Sequence, residues 1–193
     1  MNCRATVSRS LPAALLPLAF VAMALLASLS AQETTTEPRP GVHFVPTMNS
    51  VVEVMLDMAE VTSEDVVYDL GSGDGRIVIT AAQRYGARGV GVELDPELVE
   101  RARANALEAG VADKVTFVQA DLFTIDVSEA TVVTMYLLAS MHARMQPKLL
   151  RELAPGSRIV THRFPMGEGE PDQKKRVSGR DVYLYRVPAG NAR

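Results

Sequence analysis

The sequence predicts an α/β fold, a doubly wound and mostly parallel sheet that ends in an antiparallel hairpin. Three observations carry that expectation. Short apolar runs recur at residues 66–70, 89–93, 115–118, 131–136 and 158–161, as strands buried on both faces require. Most of these runs are separated by longer segments whose apolar residues return at helical spacing, and such alternation implies parallel pairing with helices on both sides of the sheet. The last stretch breaks both patterns: residues 173–177 and 181–185 alternate around Ser178-Gly179, which is a hairpin signal.

Taken in order, the first element is a helix carried by Val51, Val52, Met55, Met58 and Ala59, with Ser50 available as its cap. Asp65 leads into the first strand, and a glycine-rich loop after it opens a second helix over 77–85. The second strand follows, and Asp95-Pro96 then supplies an N-cap with proline at the first helical position of a helix that Gly110 stops. A third and a fourth strand lead to a helix over 140–153, which Pro147 is expected to kink or restart. Pro155-Gly156 closes that helix, and the fifth strand and the hairpin complete the domain.

The first 42 residues read differently. Arg4 and Arg9 precede an apolar run over 11–29, and Ser28-Leu29-Ser30-Ala31 offers small residues where polar sequence begins, the layout of a secretory signal. The run approaches the ~20 residues needed to cross a bilayer, so an uncleaved anchor is the alternative, weakened as a regular helix by Pro12 and Pro17. Residues 1–31 are therefore expected to be a signal peptide or membrane anchor, 32–42 a linker, and 43–193 the folded domain. Export or membrane anchoring is expected in preference to a cytoplasmic location. Cys3 is the single cysteine, which leaves no disulfide and no thiolate metal site, and His43, His142 and His162 have no ligand spacing. A net charge of -3 and a pI near 5.7 argue against nucleic acid as a partner, and Lys174-Lys175-Arg176 reads as a solvated strand face. At 193 residues the chain holds one sizeable domain, expected to be monomeric.

The informative residues stand at strand ends, where an open parallel sheet binds its ligands. Gly71-Ser72-Gly73-Asp74-Gly75 follows the first strand, and its missing side chains permit positive φ angles and close approach of backbone N–H groups to a ligand. Three carboxylates sharpen the signal. Asp69 precedes the loop and can meet an ammonium, directly or through water; Glu93 closes the second strand and its two oxygens match a ribose diol; Asp121 follows the third and can accept from an adenine amino group, with the Leu122 backbone serving a ring nitrogen. Taken singly, each acid is equally a turn or helix cap. Together they describe an adenosyl amino acid better than a dinucleotide, because a G-x-G-x-x-G loop would want glycine at position 76, which is Arg76. The expected cofactor is S-adenosyl-L-methionine.

The run Val67-Tyr68-Asp69-Leu70-Gly71-Ser72-Gly73-Asp74-Gly75-Arg76-Ile77, with the second-strand segment ending in Glu93 and Gln119-Ala120-Asp121-Leu122, resembles the class I S-adenosylmethionine-dependent methyltransferases, which have Rossmann-like folds. Phe44-Val45-Pro46-Thr47, Tyr136-Leu137-Leu138 and Thr161-His162-Arg163-Phe164 are similar to a small protein-lysine methyltransferase family, whose mitochondrial members modify the adenine nucleotide translocase and the membrane-embedded ring protein of ATP synthase. That resemblance implies a protein lysine as acceptor, possible association of the substrate and of the N-terminal segment with a membrane, and no metal. Tyr136, after the fourth strand, is the candidate catalytic residue, placed to orient an amine; the alternative is an ordinary half-buried tyrosine. His162 can accept a proton or be a hydrogen-bonded structural histidine, and Phe44, Pro46 and Thr47 can form a flap over the cofactor. A small-molecule methyltransferase and a non-catalytic cofactor-binding protein are the alternative functions.

Overall fold

The computed structural model describes residues 44–190. The signal or anchor segment, the linker and His43 lie outside the described residues. The elements run α1 (Asn49–Met58), β1 (Val66–Leu70), α2 (Arg76–Tyr85), β2 (Arg88–Glu93), α3 (Pro96–Glu108), β3 (Val115–Gln119), β4 (Val132–Met135), α4 (Ala139–Glu152), β5 (Arg158–His162), β6 (Gln173–Val177) and β7 (Arg180–Arg186). They build one seven-stranded sheet in the order β3-β2-β1-β4-β5-β7-β6. Strands β1 to β5 pair in parallel, and β7 is antiparallel to both β5 and β6. The chain winds outward from β1 to β3 and then returns to the other side of β1, so the order reverses between β1 and β4, the switch point where ligands bind.

Side chains alternate across each strand, so the sheet divides its residues between two apolar layers. Val67, Val132, Val160 and Val182 join α1, α2 and α3 on one side. Val66, Tyr68, Leu70, Val133, Met135 and Ile159 join Met145 and Leu149 of α4 on the other. The same period of two puts Asp69, Thr134, Tyr136 and His162 on the α1 face, at the carboxyl ends of adjacent strands. A few polar side chains thus converge inside an apolar layer.

At the opposite end of the sheet, Asp65 ties three strand starts together. It forms an ion pair with Arg158 and accepts from the Thr131 hydroxyl at 2.7 Å and from the Thr62 N–H at 2.8 Å. Burial pushes its carboxyl upward, but the bonds from Thr131, Thr62 and Arg158 outweigh burial and hold it below the usual carboxylate range.

Four details differ from the sequence expectation. Helix α1 starts at Asn49 behind Met48, with no side-chain cap, and Ser50 lies inside the helix with its hydroxyl 3.4 Å from that of Ser178. Helix α2 starts one residue early, at Arg76, because Gly75 turns into the left-handed region at φ 80°. Pro147 does not restart α4, which is one helix; Met145 and Leu149, both fully buried, hold the chain on either side of the proline. Strand β4 ends at Met135, since the next backbone donors turn to other partners: Leu137 N–H donates to His142 Nε2 at 3.1 Å. Asp95 caps α3 as its sequence suggests, accepting from Glu97 N–H at 2.8 Å.

Candidate active site

The glycine loop folds back onto β2, with Gly71 and Ser72 N–H both donating to the Val92 carbonyl at 2.9 and 3.0 Å. Gly71 and Gly73 have φ of 84° and 53°, a region that side-chain-bearing residues rarely enter. A Cβ on Gly73 would lie 2.1 Å from the Phe44 ring, and one on Gly71 would lie 2.8 Å from the Leu137 side chain. Gly75, the last glycine of the loop, has a packing role as well. A Cβ there would meet Phe117 at 2.5 Å and Ala102 at 3.0 Å, so this glycine lets helix and sheet pack closely.

Glu93 is a latch on the loop. Its Oε2 accepts from Gly73 N–H at 2.9 Å, and Oε1 accepts from Leu94 and Asp95 N–H at 2.8 and 3.1 Å. A carboxylate offers about four lone-pair sites, so the same group retains capacity to accept from a ligand hydroxyl. Asp69 sits beneath the loop, almost fully buried, and accepts from the Thr134 hydroxyl at 2.7 Å. Burial pushes its carboxyl up to about 7; the Thr134 bond opposes that rise, while the charges of Glu93 and Asp74 add to it. Asp121 lies apart from these two, in an exposed turn of its own, where Oδ1 accepts from Phe123 N–H at 2.9 Å. The turn is closed by Phe123, Thr124 and Ile125 donors and leaves Leu122 N–H out of its bonding.

The segment before α1 closes over this loop. Phe44 lies against Gly73 and is still over a third exposed, Pro46 is exposed, and Thr47 is buried. Arg76 holds the segment in place: its Nη1 donates to the Thr47 carbonyl at 2.8 Å while Nε donates to Asp74 at 2.9 Å. The sequence gives no sign of this clamp, since Arg76 reads there only as a missing glycine.

A second cluster lies at the ends of β4 and β5. The Tyr136 and His162 rings are 4.1 Å apart between centroids, and Thr47 Oγ1 is 3.4 Å from His162 Nδ1. Arg180, at the start of β7, donates to the Tyr136 hydroxyl at 3.2 Å. His162 is 1 % exposed, and burial lowers its pKa to about 4, helped by the positive charges of Arg180 and Arg163. The imidazole is therefore neutral at neutral pH, with lone-pair capacity. His142, whose role the sequence leaves open, supports the cluster from behind: Nδ1 donates to the Phe164 carbonyl at 3.1 Å and Nε2 accepts from Leu137 N–H.

Among the described residues two buried side-chain polar atoms have no hydrogen-bond partner, Ser72 Oγ and His162 Nε2. Such atoms are rare and costly in a folded interior, and an ordered water or a ligand can complete their bonding. One stands in the glycine loop and the other in the Tyr136 cluster. The loop, with its glycines and the acids Asp69 and Glu93, fits an adenosyl amino acid: close backbone approach along the loop, a carboxylate for its ammonium, a carboxylate for its diol. Asp74, Asp69 and Glu93 share one neighbourhood, and Asp121 follows the β2–β3 edge, where Ala120 N–H donates to the Glu93 carbonyl at 3.0 Å.

Comparison with known proteins bears on this geometry. The ANTKMT methyltransferase domain family matches residues 69–173. A protein-lysine N-methyltransferase of Saccharolobus islandicus (strain REY15A) is 44% identical over 151 residues, which cover 76% of this chain and 94% of that protein. An ATP synthase lysine N-methyltransferase of Mus musculus is 35% identical over 150 residues, 78% of this chain; there the match spans only 60% of the relative's length. Among solved structures, an RNA methyltransferase from Salinibacter ruber in complex with S-adenosyl-L-homocysteine is 56% identical, with a TM-score of 0.74 over 75% of this chain and 94% of that one. A SAM-dependent methyltransferase from Geobacter sulfurreducens, also with S-adenosyl-L-homocysteine, is 27% identical with a TM-score of 0.56, over 63% of this chain and 51% of that one. The chain therefore belongs to the ANTKMT methyltransferase domain family and is an S-adenosylmethionine-dependent methyltransferase.

Proposed function

We propose that this methyltransferase acts on a lysine side chain of a protein, with the acceptor nitrogen at the Tyr136–His162 cluster. The cofactor supplies an electrophilic methyl carbon on a positively charged sulfur. A nitrogen–carbon bond forms as the carbon–sulfur bond breaks, so the acceptor must present a lone pair. A lysine amine with an ordinary pKa of about 10.4 is mostly protonated at neutral pH and has to lose a proton first. A water-poor surrounding lowers that value, so the amine can shed its proton to solvent. The neutral imidazole of His162, too weak a base to hold that proton, can accept a hydrogen bond from the amine and orient its lone pair.

One observation carries the reading: His162 is buried, neutral and has an unpartnered Nε2, and it sits against Tyr136 on the same sheet face as Asp69. Alignment of reacting groups of this kind contributes on the order of 7 to 11 kcal/mol. Tyr136, with its hydroxyl fixed by Arg180, orients the amine, and the segment Phe44, Pro46 and Thr47 forms one wall. The names of the Saccharolobus and mouse relatives support lysine as acceptor. The mouse relative's name and the apolar run over 11–29 support a membrane or membrane-associated protein as substrate and an exported or anchored location for the domain. Among the described residues no helix is long and apolar enough to cross a membrane. The name of the Salinibacter relative favours a second reading, RNA as acceptor.

The test is incubation of the purified protein with methyl-labelled cofactor and, separately, membrane proteins, soluble proteins, RNA and small metabolites of the source organism. Label is expected on lysine of a membrane-fraction protein, located by peptide mass spectrometry. Tyr136→Phe is expected to lower kcat about tenfold or more, the worth of one oriented hydrogen bond, with affinity for S-adenosyl-L-homocysteine nearly unchanged. Label confined to RNA or to a small molecule would overturn the lysine reading.

A further inference from the structure

The hairpin β6–β7 overhangs the active end of the sheet. His162, the last residue of β5, pairs with Val182, so Arg180 and the turn at Ser178-Gly179 project beyond the strand end that carries the acceptor cluster. Beside this turn lies a hollow of about 350 Å³ lined by Arg163, Arg176, Ser178, Gly179, Arg180 and Asp181. Three arginines line it beside one carboxylate, that of Asp181. Asp181 is already engaged, 3.1 Å from Lys174 and 3.5 Å from Arg176. Among the described residues neither Arg163 nor Arg180 forms an ion pair: Arg180 donates to the uncharged Tyr136 hydroxyl, and the Arg163 guanidinium lies 5.3 Å from the Phe164 ring. Arg163 is also held at φ 71°, where its N–H donates to the Asp181 carbonyl at 2.7 Å, so its backbone is fixed on the rim.

Arg163 and Arg180, cations with no carboxylate partner among the described residues, stand beside the paired Arg176 on a chain whose net charge is -3, so this rim is locally opposite to the rest of the molecule. Guanidinium pairs recognise carboxylates through paired N–H···O bonds. We infer that the hollow of Arg163, Arg176 and Arg180 docks an aspartate or glutamate side chain of the protein substrate close in sequence to the methylated lysine. This inference rests on the lysine reading and deepens it by naming what the substrate carries beside its lysine. Arg180 links the two positions, because the same side chain that lines the hollow also holds the Tyr136 hydroxyl. A nucleic acid fits less well: a phosphate backbone is followed by a track of cations, whereas these arginines line one hollow that also holds Asp181, whose negative charge opposes a run of phosphates.

The test uses the full chain loaded with S-adenosyl-L-homocysteine and two short fluorescein-labelled peptides, one with a central lysine flanked by glutamates and one with glutamines in their place. Fluorescence anisotropy is expected to show the glutamate peptide binding about tenfold or more tightly, the worth of one charge-assisted contact. Salt should weaken it, and the double variant Arg163→Gln with Arg176→Gln should lose the preference while keeping its affinity for S-adenosyl-L-homocysteine. Equal binding of the two peptides, or a preference that survives in the variant, would overturn the inference. So would displacement of the acidic peptide by a single-stranded RNA that binds more tightly and shows the same dependence on the two arginines. Tight, arginine-dependent binding of the glutamate peptide with no methylation of its lysine leaves the surface standing and rejects the lysine reading instead.

Discussion

Glu93 shows how one side chain serves the fold and the ligand together. Three backbone N–H groups already converge on it, one of them from the glycine loop, so the loop is shaped before any ligand arrives. Glu93→Ala is therefore expected to weaken S-adenosyl-L-homocysteine by about 1.5 to 3 kcal/mol, the range of a bond to a charged group, and Glu93→Gln by less, since its amide oxygen still accepts from Gly73. Titration calorimetry on both variants decides this; unchanged affinity in a folded Glu93→Ala protein would reject the contact. The strand-end acids are legible in the sequence because a carboxylate after an apolar run is conspicuous. Thr134, Arg76 and Arg180 are not, because each acts on a residue far along the chain, and nothing in its own neighbourhood sets it apart. Asp121 is legible both as a strand-end acid and as a cap, and the cap is what the structure shows, with one of its oxygens on Phe123.

At the scale of elements, the segment before α1 and the glycine loop form one closing device. Phe44 covers Gly73 from above, and Arg76 ties the Thr47 carbonyl to the loop's own Asp74. Arg76→Ala removes both bonds, and the expected result is several-fold to about tenfold faster release of S-adenosyl-L-homocysteine, read by rapid filtration of the radiolabelled compound after an unlabelled chase. A release rate equal to that of the parent chain would show that the segment does not close the site. Gly73→Val combines a forbidden φ with a clash against the Phe44 ring, so it should abolish binding. The α/β alternation, the hairpin and the α3 cap follow from apolar period and from local signals such as Asp95-Pro96. The start of α1 and the continuity of α4 do not. A helix can begin without a side-chain cap when Val51, Val52 and Met55 are fully packed, and packing likewise overrides the local cost of Pro147.

Across the whole molecule, the buried Asp69 and His162 pull stability in opposite directions with pH, and His142, also buried and lowered, acts on the histidine side. Asp69, raised from 3.8 to about 7, holds its proton more firmly folded than unfolded, so its contribution is present below its ordinary value and is lost as pH rises through about 7. His162, lowered from 6.5 to about 4, contributes above its ordinary value and loses that contribution as pH falls toward about 4. Over the shared interval the Asp69 slope offsets part of the two histidine slopes. Asp69→Asn leaves both histidine slopes, so its melting temperature should drop on acidification more steeply than the parent's; His162→Gln removes one of them, so its melting temperature should drop less than the parent's or climb. Parallel profiles for all three proteins would refute the assignment. Below that interval the depressed carboxyl of Asp65 takes over, and losing its pair with Arg158 should unfasten three strand starts together.

A sheet of this order has two outer strands, β3 and β6, each paired on one side only. An unpaired strand rim invites a further strand, from a second copy or from a partly unfolded neighbour. On β6 the exposed run Lys174, Lys175 and Arg176 sets like charges along the rim, so two such edges repel before their backbones can meet. On β3 the Arg103 side chain of α3 reaches over and donates to the Phe117 carbonyl at 3.0 Å, taking up an acceptor in that strand. Arg176 thus belongs both to the hollow proposed for acidic sequence and to the charged rim that keeps a further strand from pairing.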